Sequence, residues 1–284
     1  MKLGFIGFGK LGSAMVENLL NHDIEIIGWN RTKSKMEQFD KVVKKDTPFQ
    51  IWEDGVEVVI LNLFDSKSVK EVLFGENGLI NDQVKNKIII DTTTNHYEEV
   101  LEISDRVIES GNEYIEAPVI GSVVPAKNGS LVVLAGCKKV LFDKYEHILS
   151  LFGNKIFHFE EYGIATKFKL INNMVLGSFM AVLKEAINMA EMIGLDRNTA
   201  INLLENGAGD SLVLRGKKSK VLSRDYTAHF DVKTLLKDLD YYYDMAKENN
   251  YPTIISSMIK EIYRALEKNN LGDKDFSSIV DELY

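Results

Sequence analysis

The 284-residue chain has few of the residues that several broad protein classes depend on. Its one cysteine, Cys137, cannot form a disulfide within the chain and has no second thiolate for a metal site. The five histidines are scattered, with no pair at the helical spacing of a zinc site. Basic residues number 34 against 42 acidic ones, which argues against nucleic acid as the main partner. No uninterrupted apolar run approaches the ~20 residues that span a bilayer, and the N-terminus has no signal-peptide layout. We therefore expect a soluble, cytoplasmic protein without a metal or a membrane partner.

The two halves of the chain differ in their periodicity. Up to residue 160, helical stretches alternate with short β-branched runs at residues 2–6, 24–29, 56–63, 87–92, 113–119, 131–135 and 155–159. This alternation is typical of a parallel sheet covered by helices on both faces. Residues 165–193 form a helical pattern that is apolar nearly all round, which predicts a buried helix at the joint of two domains. Helical patterns alone follow it, at residues 198–206, 232–249, 253–268 and 277–283.

These patterns predict the fold class and the division of the chain. Residues 1–162 should form an α/β domain of the Rossmann type, with a doubly wound parallel sheet. Residues 163–284 should form an all-α domain, joined to the first by the long interdomain helix.

A glycine-rich segment lies between the first predicted strand and the first predicted helix. Its sequence, G-F-G-K-L-G, lets a backbone turn tightly and approach a pyrophosphate, while the helix start supplies amide donors. Its place in a strand–turn–helix unit favours a dinucleotide site over a structural turn. The predicted cradle consists of Gly7, Phe8, Gly9, Lys10, Leu11 and Gly12.

The residues about 20 positions further on distinguish NAD from NADP enzymes. An NAD enzyme should carry Asp or Glu at the end of the second strand, where the acid binds the ribose hydroxyls. Asn30 stands there instead, followed by Arg31, Thr32 and Lys35. A guanidinium with hydroxyl and ammonium groups nearby can bind a 2′-phosphate. The pattern favours NADP over NAD, the alternative being an ordinary basic turn on the surface.

Three polar residues interrupt the long apolar helix. Lys169, Asn172 and Asn173 are spaced by three and four residues, so they share one helical face. Burying a lysine and two amides costs free energy unless they are paired or used. Two interpretations stand about equal at this point. The residues are a catalytic set, or the lysine snorkels to the surface while the asparagines bond a neighbouring helix.

Five segments, in order and at matching separations, resemble one known family. They are residues 4–12, the D-T-T-T segment at 91–94, residues 116–131 beginning E-A-P-V-I-G-S, residues 163–173, and Phe230 with residues 237–239. Together they resemble the β-hydroxyacid dehydrogenase family, the relatives of 3-hydroxyisobutyrate dehydrogenase. The third segment is most similar to glyoxylate and succinic semialdehyde reductases. The resemblance implies that residues 1–162 bind NADP and that residues 163–284 form a domain like that of 6-phosphogluconate dehydrogenase, for substrate binding and dimerisation. It also implies a homo-oligomer.

The resemblance also implies roles for individual residues. Lys169 would act as general acid and base on the substrate oxygen, and Asn173 would hold that oxygen or orient the lysine. Desolvation can bring the pKa of a lysine towards the working pH, as this chemistry requires. Leu63, Thr94 and Lys237 would lie along the cofactor. The substrate contacts implied are Ile120, Gly121, Ser122, Asn172, Phe230 and Asp238.

Ile120 departs from the family at the position where a serine binds the substrate carboxylate. Its side chain neither donates nor accepts a hydrogen bond, so either the backbone of Gly121 and Ser122 holds the carboxylate or the substrate differs.

The expected reaction is NADPH-dependent reduction of a small semialdehyde or oxo acid to the hydroxy acid. Two alternatives stay open, an imine reductase, which Ile120 favours, and a dinucleotide-binding sensor without turnover. The presence of Lys169 argues against both.

Overall fold

The computed structural model describes residues 1–282, and the chain divides into two compact units. The first unit is Met1–Lys169 and the second begins at Leu170, so the division falls within one long helix. The last position of the helix predicted at 277–283 lies outside the described residues.

The first unit is built on a sheet whose central part is parallel. Within the described residues its parallel strands are β1 (Lys2–Ile6), β2 (Glu25–Trp29), β3 (Val43–Lys44), β4 (Val58–Leu61), β5 (Ile88–Asp91) and β6 (Glu113–Glu116). They lie in the order β3-β2-β1-β4-β5-β6, which is the predicted doubly wound arrangement. The chain order reverses between β1 and β4, and such sheets bind ligands outside the carboxyl ends of the strands at that point.

Both faces of this sheet are buried, which explains the nearly continuous apolar strands. In β4, Val58 and Ile60 belong to one apolar core, whereas Val59 and Leu61 belong to another. Successive side chains of a strand point to opposite faces, so each face has its own core. Helix α1 (Lys10–Asn21) contributes to the first core, and α2 (Ser66–Phe74) and α3 (Glu99–Glu109) contribute to the second.

The far end of the sheet departs from the predicted parallel order. The single strand expected at residues 113–119 is two strands, β6 and β7 (Val119–Ile120), with Pro118 just before the second. Strand β8 (Leu131–Gly136) runs antiparallel to both and parallel to β9 (Gly153–Phe159). Helices α4 (Val123–Lys127) and α5 (Lys139–Leu149) were not predicted. A buried apolar strand has the same residue pattern in either direction, so the sequence carried no sign of the reversal.

The regular elements described in the second unit are helices, with two isolated β-bridges in the loops between them. Its elements are the larger part of α6 (Ile164–Met192), then α7 (Arg197–Glu205), α8 (Leu212–Ser223), α9 (Val232–Glu248), α10 (Ile254–Leu266) and α11 (Ile279–Glu282). Leu183 and Ile187 of α6 share a core with Leu235 of α9 and Tyr263 of α10. Helix α8 was not predicted, because the basic stretch R-G-K-K-S-K in its middle hides the apolar period.

One face of α6 is exposed, so the predicted burial on nearly every side is wrong. Phe179, Val182 and Met189 expose 47%, 67% and 64% of their surface. Their spacing places them on one side of the helix. By length and composition α6 is also apolar enough to cross a membrane, the one such helix among the described residues. The sequence showed that the helix is apolar, but whether each side is covered depends on the rest of the fold.

Candidate cofactor and active site

The glycine-rich segment lies at the carboxyl end of β1 and leads into α1. Gly7 has a φ of +105°, and a Cβ there would lie 2.1 Å from the backbone oxygen of Asn62. A Cβ at Gly12 would lie 1.9 Å from the backbone oxygen of Gly7. Neighbouring backbone therefore leaves room for glycine alone at both positions. A Cβ at Gly9 would meet nothing within 4 Å, so this side of the loop is open to a ligand.

The loop fits the pyrophosphate of a dinucleotide. Gly9 is the N-cap of α1, and no side chain within the described residues caps this helix start. The amides and the dipole of a helix start favour an anion there. Lys10 is exposed and Leu11 is half-buried, whereas the Phe8 ring is 2% exposed and lies in the core. Phe8 can therefore contact a cofactor through its backbone but not through its ring.

Asn30 fastens the loop to the end of β2. Its Oδ1 accepts a hydrogen bond of 2.9 Å from the Phe8 amide, and its Nδ2 donates one of 2.8 Å to the Thr32 carbonyl. Arg31, Thr32 and Lys35 follow on the exposed surface. The Arg31 side chain is 78% exposed, and its guanidinium lies 3.9 Å from the Glu71 carboxylate, a spacing typical of a weak ion pair. Asn30 therefore stabilises the conformation of the loop, whereas the Arg31 guanidinium could bind a phosphate.

Leu63 and Thr94 lie after β4 and β5, at the same edge of the sheet as the glycine loop. The Leu63 amide donates to Thr93 Oγ1 at 3.0 Å, which ties the two strand ends together. Asp91 accepts from the Thr93 amide at 2.9 Å and from Asn95 Nδ2 at 2.8 Å. Burial raises the pKa of Asp91, although these hydrogen bonds oppose the shift. The buried carboxyl group therefore fixes the turn that carries Thr94.

The three candidate substrate residues of the first unit follow β6. Ile120 ends β7, pairs with Val132 of β8 and is half-buried. Gly121 has a φ of +129°, and a Cβ there would lie 2.7 Å from Leu131 Cδ2, so the turn requires glycine. Ser122 is half-buried and precedes α4. The isoleucine thus lies at the start of a tight turn whose backbone is fixed.

Lys169 lies in the second turn of α6 and is 7% exposed. The first turn of this helix is fastened to the sheet by Glu116, the last residue of β6. Its carboxylate accepts from the Gly163 amide at 2.6 Å and from the Thr166 amide at 2.5 Å. Burial raises the pKa of Glu116 to about 7 against the effect of those hydrogen bonds. Glu116 was not among the predicted site residues, although an acid inside an apolar strand is a signal that could have identified it.

In the second unit, the polar residues of α6 and α9 form one hydrogen-bonded chain. Asn172 Nδ2 donates to Asn173 Oδ1 at 3.1 Å, and Asn173 Nδ2 donates to Asp238 Oδ2 at 2.6 Å. The other Asp238 oxygen lies 2.8 Å from Lys237 Nζ. Asn173 and Asp238 are each 1% exposed. These hydrogen bonds fix the orientation of the Asn173 amide, and Asp238 neutralises the charge of Lys237.

Phe230 lies just before α9 in a loop held by a buried carboxylate. Asp275 Oδ2 accepts from the amides of His229 and Phe230 at 2.9 and 3.3 Å, and lies 2.8 Å from Lys217 Nζ. Burial tends to raise the pKa of Asp275, but the Lys217 charge and the hydrogen bonds lower it. The Phe230 ring packs edge-on against Phe276, with 5.9 Å between centroids.

The predicted site residues are therefore divided between the two units. The first unit holds Lys169, the substrate turn at 120–122 and every cofactor candidate except Lys237, which lies in the second unit with Asn172, Asn173, Phe230 and Asp238. Lys169 and Asn173 lie one turn apart on one face of a continuous helix. Cys137 is fully buried, and burial raises the pKa of its thiol to about 12, so it is not a nucleophile. Within the described residues no cluster of metal ligands occurs.

Comparison with known families matches both halves of the chain. A family model described as the NAD binding domain of 6-phosphogluconate dehydrogenase matches residues 2–160. A second, described as the NAD-binding domain of NADP-dependent 3-hydroxyisobutyrate dehydrogenase, matches residues 163–283.

Individual relatives cover almost the whole chain. It is 30% identical to glyoxylate/succinic semialdehyde reductase 1 of Arabidopsis thaliana, over 99% of this chain and 98% of the relative. It is 29% identical to the cytokine-like nuclear factor N-PAC of Homo sapiens, over 98% of this chain and 50% of that protein. The crystal structure of 3-hydroxyisobutyrate dehydrogenase from Salmonella typhimurium has a TM-score of 0.89 at 19% identity, with 99% of each chain covered. The last comparison shows a shared fold.

Proposed function

Because this chain belongs to the β-hydroxyacid dehydrogenase family and is an NAD(P)-dependent oxidoreductase, we propose that it reduces a small semialdehyde or oxo acid to the hydroxy acid with NADPH. The observation that carries the proposal is the polar set on α6. Lys169 is 7% exposed, and Asn173, one turn further on, is 1% exposed. The likeness to a glyoxylate/succinic semialdehyde reductase supports the substrate class.

Lys169 is the general acid of the proposed reaction. When bound, NADPH supplies the hydride that reduces the carbonyl carbon. Lys169 Nζ donates a hydrogen bond to the carbonyl oxygen, stabilises the negative charge that develops there and gives it a proton. In the direction of oxidation the same amine accepts the proton from the hydroxyl group.

Asn173 holds the substrate oxygen or keeps the lysine in its orientation. A side-chain amide has two N–H donors, and Asn173 Nδ2 uses one of them for Asp238. The second N–H serves the substrate in this proposal. Because Asn173 Oδ1 accepts from Asn172, the amide cannot turn over without breaking both hydrogen bonds. The family resemblance gives Lys237 a role in cofactor binding and Phe230 a role in substrate binding, and we keep both assignments in the proposal.

NADP is the proposed cofactor in preference to NAD. Arg31, Thr32 and Lys35 form an exposed turn after β2, suited to a 2′-phosphate. Asn30 occupies the position of the ribose-binding acid and is used as a brace instead. We assign the cofactor to residues 1–162 and the substrate and subunit contacts mainly to residues 163–284. The proposed protein is a cytoplasmic homo-oligomer, with the exposed apolar face of α6 as the support for subunit contact.

Two other functions each have one observation in their favour. Ile120, in place of a carboxylate-binding serine, favours an imine reductase. The likeness to N-PAC, named as a nuclear factor, favours a protein that binds a dinucleotide without turnover. A buried Lys169 favours the reductase over both.

The three functions are distinguished by NADPH oxidation in the presence of different substrates. We expect turnover with one or more of glyoxylate, succinic semialdehyde, methylmalonate semialdehyde and tartronate semialdehyde, and none with a cyclic imine or without substrate. Ile120→Ser should raise kcat/KM for these carboxylates by roughly 10-fold, the effect of one hydrogen bond to a charged group. Ile120→Val, which changes size without adding a hydroxyl group, is the matched control. Turnover of the imine alone would contradict the proposal, as would tight NADPH binding without any turnover.

A further inference from the structure

Glu116 is a buried acid that the proposed reaction does not use directly. It ends β6, is 1% exposed, and both of its carboxylate oxygens accept backbone hydrogen bonds. Oε2 accepts from the Gly163 amide and Oε1 from the Thr166 amide, at 2.6 and 2.5 Å. One side chain of the sheet thus makes two hydrogen bonds to the start of α6.

These hydrogen bonds fall where a helix needs them. The first amides of a helix have no partner within the helix, and a negative charge interacts favourably with its dipole there. Hydrogen bonds to an ionised carboxylate are about twice as strong as neutral ones. Lys169 follows Thr166 by three residues, which is about one turn. Fastening the first turn therefore fixes the backbone from which the Lys169 side chain extends.

The end of β8, the strand next to β6, leaves space for the Glu116 carboxylate. A Cβ at Gly136, the last residue of β8, would lie 2.5 Å from Glu116 Oε2, so a glycine there makes room for the acid. Asp91 lies directly opposite Glu116 in the β5–β6 register and is equally buried. The hydrogen bonds of Asp91 nevertheless go to Thr93, Asn95 and the Tyr114 hydroxyl group rather than to α6. Asp91 is therefore a buried acid with which the effect of substituting Glu116 can be compared.

We propose that Glu116 is the positioning residue for Lys169, and that its carboxylate acts by holding the first turn of α6 to the end of β6. The inference rests on the proposed catalytic role of Lys169. Glu116 itself does not touch the substrate or the cofactor in this account.

Protonation of Glu116 should weaken its two hydrogen bonds to the start of α6, because a neutral carboxyl group lacks the charge that strengthens them. The groups around Glu116 are Asp91 from β5, Tyr114 on its own strand, Cys137 after β8 and Tyr162 before α6. Burial raises the pKa of Glu116 to about 7, and the negative charge of Asp91 acts in the same direction. The carboxylate form therefore predominates above that pH, and the first turn of α6 should loosen as the pH falls through it.

The test compares three variants by two measurements. Glu116→Gln keeps the shape but replaces one acceptor with an NH₂ group. Gly136→Ala displaces the carboxylate without changing it, and covers the case in which Glu116→Gln does not fold. Asp91→Asn is the matched control for the exchange measurement alone, because Asp91 is a buried acid on the next strand whose hydrogen bonds go to residues outside α6. Amide hydrogen exchange over residues 163–169 reports on the first turn, and kcat with KM reports on Lys169.

At pH 8, Glu116→Gln and Gly136→Ala should each accelerate exchange over residues 163–169 by about 10-fold, as expected for the loss of a charge-assisted hydrogen bond, whereas Asp91→Asn should not. Both variants should lower kcat by roughly 10- to 100-fold, the usual effect of a small misplacement, with the Kd for NADPH unchanged. The fall of wild-type kcat below pH 7 should be absent in Glu116→Gln.

Unchanged exchange over residues 163–169 in Glu116→Gln would overturn the proposal, whatever the activity. Accelerated exchange with an unchanged kcat would overturn the link to Lys169. A wild type that reduces no substrate would refute the proposed function alone, and the exchange measurement would still decide whether Glu116 holds the turn.

Discussion

Arg31 is the side chain on which the proposed choice of cofactor depends most. The side chain is 78% exposed, and the carboxylate of its one described ionic neighbour, Glu71, lies 3.9 Å from the guanidinium. An exposed pair at that distance contributes little to stability, so Arg31 can exchange it for a phosphate at small cost. Asn30 lacks the charge that would repel a 2′-phosphate.

Arg31→Ala should therefore weaken the binding of NADPH selectively. We expect the KM for NADPH to rise by roughly 10- to 100-fold, as for the loss of hydrogen bonds to a charged group. The KM for NADH should change by less than a factor of about two, because NADH has no 2′-phosphate. Steady-state kinetics with both cofactors measures the difference. An equal rise for the two cofactors would show that Arg31 acts on something other than the phosphate.

At the scale of the element, one buried hydrogen bond joins α6 to α9, and its acceptor Asp238 also forms an ion pair within α9. Asp238 lies 2.8 Å from Lys237 Nζ and accepts from Asn173 Nδ2 at 2.6 Å. The Asp238 side chain is fully buried and that of Lys237 is 10% exposed. Removing one member of such a pair leaves a buried charge without its partner, which is costly.

Asp238→Asn should lower the free energy of unfolding by about 3 kcal/mol, the cost typical of breaking a buried pair. Urea unfolding followed by circular dichroism measures the change. Lys237→Met added to the same chain should recover most of the lost stability, since both charges are then absent. A double variant no more stable than the single one would show that the ion pair does not account for the loss.

The sequence predicted the elements whose signals are local. The strand β1, the glycine turn and the start of α1 lie within residues 2–12, and the glycines there have steric reasons to be glycine. The antiparallel direction of β8 has no local signal, because it depends on which strand edge the chain reaches after Pro118. For the same reason, Lys169, Asn172 and Asn173 could be chosen as candidates by spacing, whereas Asp238 came only from the family resemblance and Glu116 was missed. Asp238 and Glu116 make contact across 65 and 47 residues of sequence respectively.

At the scale of the whole molecule, the exposed apolar face of α6 requires an explanation. Val175, Phe179, Val182 and Met189 expose between 38% and 67% of their surface along one side of the helix. Contiguous apolar patches of this kind are uncommon on monomeric soluble proteins and often mark subunit contacts. The same face supports the proposed homo-oligomer.

Val182→Lys should convert that oligomer to a smaller species, because it places a charge in the middle of an apolar contact. Sedimentation velocity at micromolar protein concentration measures the change. Val140→Lys is the matched control, since Val140 is 83% exposed on α5 in the first unit. A wild type that sediments as a monomer would refute the oligomer, and an unchanged Val182→Lys oligomer would place the contact elsewhere.

The most direct test of the proposed reaction compares Lys169→Met with Lys167→Met. The two lysines lie two residues apart on α6, so they point to different sides of the helix. Lys169→Met should lower kcat for semialdehyde reduction by about 100- to 10,000-fold, the range for a lost general acid, with the Kd for NADPH unchanged. Lys167→Met should retain the wild-type kcat. A Lys169→Met enzyme that keeps more than about a tenth of the wild-type kcat would contradict the role of Lys169 as general acid.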